Sequence, residues 1–228
     1  MTGRLGVALI TVFVIICALV GVCSGTPTAE EVIKKVQNVY SHHCCFRATF
    51  NQLTVNVSMD LRDQFAGTIY VKKPSMIALD VESPEKQKVV IKGRSYTVYI
   101  PKDGTASRGE IPPEVDIEHF FGFLANISAL GRNFSVSFPV KTRDEAKKLL
   151  FLELTDRKNS TGTYRIVLGI DMNKFTIRRA IIYDALGNYN RFDLAGITFL
   201  NSIPDAQFDV GPIPLEKFVP SLDAIPKQ

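Results

Sequence analysis

The chain predicts a mainly β domain: one strongly curved antiparallel sheet of about ten or eleven strands, with a few helices. Three observations carry that expectation. From Cys44 onward, apolar and β-branched residues alternate with polar ones at period two, run after run. The runs are joined by short segments of turn residues. Helical spacing is confined to the opening of the domain and a short middle stretch. A chain of 228 residues that is 46% hydrophobic and 22% charged is globular, which excludes bulk disorder, collagen and coiled coil.

The elements follow in order. Residues 1–25 read as a secretory signal peptide: Arg4, an apolar run from Val7 to Val22, then Ser24 and Gly25. A retained membrane anchor is the rival, but the run is short for a bilayer span and ends in small residues. Lipidation at Cys23 is a third reading; such signals want a small residue where Val22 stands, so it ranks below simple cleavage. Residues 26–228 then form a single domain. Thr28 and Glu31 look like a capping box, and Val32, Ile33, Val36, Val39 and Tyr40 follow at helical spacing. Strands come next, with inward residues Phe46, Ala48 and Phe50; Phe65, Gly67, Ile69 and Val71; Ile77, Leu79 and Val81; Val89 and Ile91; and Tyr96, Val98 and Ile100. Gly104 to Pro113 reads as a polar loop. Asp116 caps a short helix carrying Ile117, Phe120, Phe121 and Leu124. Phe134–Phe138 is a strand, and Thr142–Lys147 a helical turn. Four more strands are expected over 149–156, 163–171, 175–183 and 189–200. Five prolines from Pro204 onward exclude a long regular element in the C-terminal tail.

Chemistry-bearing patterns are sparse. His42-His43-Cys44-Cys45 contains metal-ligand types, but consecutive side chains diverge and the spacing suits no zinc site. No metal and no cofactor are expected. The cysteine pair reads as one residue facing the core and one not, rather than as a vicinal disulfide. No G-x-S-x-G, H-E-x-x-H, G-x-G-x-x-G or Walker pattern is present, so the chain is not expected to be an enzyme. Asp184 and Asp193 fit turn and strand-edge roles. The doublets Lys72-Lys73, Lys147-Lys148 and Arg178-Arg179 read as solvated strand faces. A net charge of +4 is too mild to indicate a nucleic-acid partner. Sequons at Asn56, Asn126, Asn133 and Asn159 would carry glycans in a secreted eukaryotic protein and mean little in a bacterium.

A family resemblance adds to this. Ala48-Thr49-Phe50-Asn51-Gln52 follows the first helix, then Gly67-Thr68-Ile69-Tyr70-Val71-Lys72-Lys73-Pro74, then Lys92 to Pro101. Tyr183 to Asn188, Phe192 and Phe199-Leu200-Asn201-Ser202-Ile203-Pro204 come late. In order and spacing this resembles the periplasmic outer-membrane lipoprotein carrier family, LolA. The resemblance implies an incomplete antiparallel β-barrel with a helical lid over an apolar cavity. It implies a monomeric periplasmic shuttle that takes acylated lipoproteins from an inner-membrane ABC transporter to an outer-membrane receptor, with no bond made or broken. The alternatives are a related binding protein for another lipid or glycolipid, and a lipidated receptor-type relative. The acyl-chain cavity would be lined by Phe50, Ile69, Val71, Ile77, Leu79, Val89, Ile91, Val98, Leu152, Leu154, Ile166 and Leu168, with Phe120, Phe121 and Leu124 as lid contacts. From alternation alone, cavity and closed core are equally good readings.

Departures from the family pattern mark a divergent member, one being Lys92 where the family's turn has Asp. Lys73 stands where the family often has the Arg that ties the lid closed, and an ammonium lacks the guanidinium's planar fork. The family's strand Trp is missing, as is Trp throughout.

Overall fold

The computed structural model of the chain describes residues 27–111, 122–127, 130–140, 149–157, 165–212 and 218–219. The expected signal peptide, the residues Asp116 to Phe121 and the segment Thr142–Lys147 lie outside them.

Helix α1 spans Ala29–Ser41. Its capping box forms as the sequence predicts: Glu31 N–H donates to Thr28 Oγ1 at 3.2 Å and Thr28 N–H to Glu31 Oε2 at 3.0 Å. One stripe, Val32, Ile33, Val36 and Tyr40, is buried. Eleven strands follow before the tail: β1 Cys45–Asn56, β2 Leu61–Lys72, β3 Met76–Ser83, β4 Gln87–Lys92, β5 Ser95–Ile100, β6 Thr105–Glu110, β7 Phe134–Ser137, β8 Leu149–Asp156, β9 Arg165–Asp171, β10 Thr176–Tyr183 and β11 Tyr189–Leu200. Among the described residues, two one-turn helices, α2 Gly122–Ala125 and α3 Leu130–Asn133, lie between β6 and β7.

With a short strand β12 at Phe218–Val219, the strands form one open, curved sheet in the order β12-β6-β5-β4-β3-β2-β1-β11-β10-β9-β8-β7. All neighbours are antiparallel except β12, Phe218–Val219, which joins β6 in parallel. The expected incomplete barrel with helices over its inner face is therefore the fold this chain adopts. Helix α1 touches α3, β7 and β10, and α2 touches β2. The inner face is where the main core sits.

The structure corrects three expectations. The segment read as a polar loop, 104–113, contains strand β6, which pairs with β5 along its whole length. Its sequence Thr-Ala-Ser-Arg-Gly-Glu carries no apolar alternation, so its strand character comes from pairing. Of the doublet read as solvated, Arg178 is exposed but Arg179 is buried. A bulge between Ile177 and Arg179 shifts the register there, and Arg179 Nε bonds Asp193 Oδ1 at 2.5 Å. Cys45 is buried and Cys44 exposed, as expected, but the two sulfurs are joined as a vicinal disulfide. Cys44 precedes β1, so the alternation that sends strand neighbours to opposite faces does not yet apply to it.

The C-terminal segment braces the outer face. After β11, Ile203 and Phe208 pack against Cys45, Ala78 and Val90. A short 3-10 turn, Asp205–Phe208, carries Phe208 into that contact. Lys72 Nζ donates to Ile203 O at 3.1 Å and to Asp205 Oδ1 at 2.6 Å, and Gln207 Nε2 donates to Asp80 Oδ2 at 2.9 Å. Prolines forbid a longer element, so side chains do the fastening.

Candidate functional site

Cross-strand register lays two rows across the inner face. The first runs Ala48, Ile69, Leu79, Val89, Val98, Ser107 from β1 to β6, each the direct partner of the next. The second runs Phe46, Val71, Ile77, Ile91, Tyr96, Gly109. Directly opposed residues share a face, so both rows are continuous surfaces.

Burial changes along the rows. Ile69, Val71, Ile77 and Leu79 are buried in the main core. Val89 and Ile91 are partly buried against that core, and Val98 is partly buried as well. The other half of the inner face is filled. Leu152 opposes Leu168 and Leu154 opposes Ile166, and all four are fully buried in the cluster that contains the α1 stripe. Phe50 joins them, its ring 6.3 Å from that of Phe192. Leu124 on α2 is buried in the same cluster. Phe120 and Phe121 fall outside the described residues. Those of the expected residues that the structure describes thus range from fully buried to partly buried.

At the β6 end of the rows sit two hydroxyls that alternation did not flag as special. Ser107 is 7% exposed, and its Oγ has no hydrogen-bond partner among the described residues. Tyr96 reaches over Gly109: a Cβ built there would lie 2.5 Å from the Tyr96 hydroxyl oxygen. Glycine is needed at that position to admit the ring. The signal available in sequence was weak, because Ser107 and Gly109 hold the period-two positions of β6 without being apolar.

Lys73 lies in the β2–β3 turn and donates from Nζ to the carbonyl of Tyr40 at 2.6 Å. Helix α1 has no basic residue in its last turn, so Lys73 supplies a cation to its carbonyl end from another element. Burial holds its ammonium below the ordinary lysine range. Tyr40 is fixed from three sides. Its ring packs edge-on against Phe46 and Phe199 at 5.4 and 5.2 Å, and its hydroxyl accepts from Ile177 N–H at 3.1 Å. Burial raises the Tyr40 phenol well above its usual range. A separate cleft of about 520 Å³ is lined by charged and amide groups, Asn51, Asp171, Asn173, Arg178 and Asp193 among them, and shares no residue with the two rows.

The described residues thus form an open antiparallel sheet whose inner face is apolar, with helices packed over part of it. Residues 42–210 match the model of the family "Outer membrane lipoprotein carrier protein LolA". The chain belongs to that family. An outer-membrane lipoprotein carrier protein of Pseudomonas putida strain GB-1 is 20% identical over 187 residues, 81% of this chain and 87% of that protein. Its counterpart in strain KT2440 is 18% identical over 179 residues, 78% of this chain and 83% of that protein. Among solved structures, a LolA superfamily protein of Nitrosomonas europaea matches with a TM-score of 0.44 at 14% identity, over 81% of this chain and 98% of that one.

Proposed function

We propose that this chain is a periplasmic carrier that shelters the acyl chains of lipoproteins and passes them from an inner-membrane ABC transporter to an outer-membrane receptor. It does so as a monomer and without covalent chemistry. The observation that carries the reading is the graded inner face. Two rows of residues run from a filled core into a partly open apolar strip at Val89, Ile91 and Val98. Membership of the lipoprotein-carrier family supports the choice of cargo.

The physical logic is simple. Each acyl CH₂ removed from water is worth about 0.8 kcal/mol, so a free lipidated protein does not cross an aqueous compartment unsheltered. The strip gives an acyl chain an apolar wall, and the buried residues Ile69, Val71, Ile77 and Leu79 extend that wall inward when the helices yield. Phe50, Leu124, Leu152, Leu154, Ile166 and Leu168 back it, with Phe120 and Phe121 as lid contacts. Lys73, by holding the end of α1, acts as the tie that keeps the covering helix in place. Release of cargo and release of that tie are then coupled.

Uptake of a fluorescent fatty-acyl probe tests this. The wild-type chain takes up the probe, and Val89→Glu or Ile91→Glu reduces uptake at least about tenfold, because a carboxylate in an apolar site is strongly disfavoured. Uptake that is unchanged in both variants contradicts the assigned strip.

A further inference from the structure

Two hydroxyls stand at one end of an otherwise apolar, uncharged surface, and one of them is buried without a partner. The rows Ile69, Leu79, Val89, Val98, Ser107 and Val71, Ile77, Ile91, Tyr96, Gly109 carry no ionisable side chain except the Tyr96 phenol. Ser107 Oγ is enclosed and unsatisfied among the described residues. A buried hydroxyl without a partner is costly, and such groups in native proteins call for an explanation. Nothing about the strand requires the hydroxyl. Alanine fits the same space, and the neighbouring position Ala106 is itself alanine in β6.

We infer that Ser107 and Tyr96 form a polar subsite that recognises the carbonyl end of an acyl ester whose chain lies along Val98, Val89 and Ile91. This deepens the carrier reading and rests on it. The chemistry narrows the ligand. A serine and a phenol are neutral donors, and they suit a neutral acceptor such as an ester carbonyl. No cation lies on the two rows to balance a fatty carboxylate, so a free acid is disfavoured there. An alkyl chain with no carbonyl leaves Ser107 unsatisfied. The subsite therefore discriminates by what ends the chain rather than by its length, because a site built to hydrogen-bond a polar group penalises the analogue that lacks it. Gly109 belongs to the device: it lets the Tyr96 ring lie across β6, which brings a second hydroxyl to the strand that carries Ser107.

The test compares wild type with Ser107→Ala, using three pyrene-labelled probes of equal chain length: a methyl ester, the free acid and the plain alkane. Thermal unfolding of the ligand-free proteins is measured alongside. Wild type is expected to prefer the ester. Ser107→Ala should weaken ester binding roughly 3- to 10-fold, the range of one neutral hydrogen bond, and leave alkane binding unchanged. The ligand-free variant should be at least as stable as wild type, because an unsatisfied hydroxyl has gone. Equal loss for ester and alkane, or none for either, overturns the subsite while leaving the carrier reading intact. A destabilised ligand-free variant also overturns it, by giving Ser107 a structural role. Failure of wild type to bind any of the three probes contradicts the carrier reading, and the subsite with it.

Discussion

Tyr40 shows how much one side chain can fasten. Its ring fills the space between Phe46 and Phe199, its hydroxyl satisfies the buried Ile177 N–H, and its carbonyl receives Lys73. Tyr40→Phe keeps the packing and leaves Ile177 N–H without an acceptor in the core. The expected loss is about 1–3 kcal/mol in urea unfolding at unchanged slope. Lys73→Met should cost about 1 kcal/mol, and Lys73→Arg less, because it retains a donor for the helix end. At this scale the sequence was partly legible. The hairpin lysine stood out through its place before Pro74, but its partner is 33 residues away and is a main-chain oxygen, which no side-chain pattern reports. Ser107 was illegible for another reason: an isolated serine in a polar string reads as loop, and its burial follows only from the pairing of β6 with β5.

The tail carries the clearest lesson among the elements. Its prolines correctly excluded a long helix or strand, yet the same composition hid where it goes. Ile203 and Phe208 are ordinary apolar residues until the outer-face cluster of Cys45, Ala78 and Val90 is assembled beneath them. Strands β8 and β11 were legible to their ends; β6 was not, because its partner rather than its own residues makes it a strand. The fastening of the tail has a pH signature. Lys72 holds Asp205 below the ordinary aspartate range, first by hydrogen bonding and then by charge. A carboxyl depressed in the folded state stabilises it fully above its unfolded value, and that contribution is lost as pH falls through the folded value. Amide protection over 203–210, the measured exchange relative to the intrinsic rate at each pH, should therefore fall as pH drops below the ordinary aspartate range. In Asp205→Asn the protection should be lower at neutral pH and should not change further over the same acid range. An unchanged profile in the variant rejects the Lys72–Asp205 contact as the fastener.

The whole molecule divides into a filled half and a partly open half of one sheet. Alternation alone could not make that division, since it reports which face is buried and not what fills it. Among the described residues, helix α1 packs on β7 and β10, while Val89, Ile91 and Val98 on β4 and β5 are only partly buried. The two halves should respond differently to truncation. Leu152→Ala removes a fully buried side chain and should cost about 2–5 kcal/mol of stability. Val98→Ala should cost much less and instead weaken acyl uptake. The most direct measurement of the central claim is native mass spectrometry of the protein purified from its host's envelope without detergent. A mass excess matching an acylated lipoprotein or its lipidated peptide is expected, greatly reduced in Ile91→Glu. A protein that carries free lipid alone, or that carries nothing and takes up no acyl probe, would contradict it.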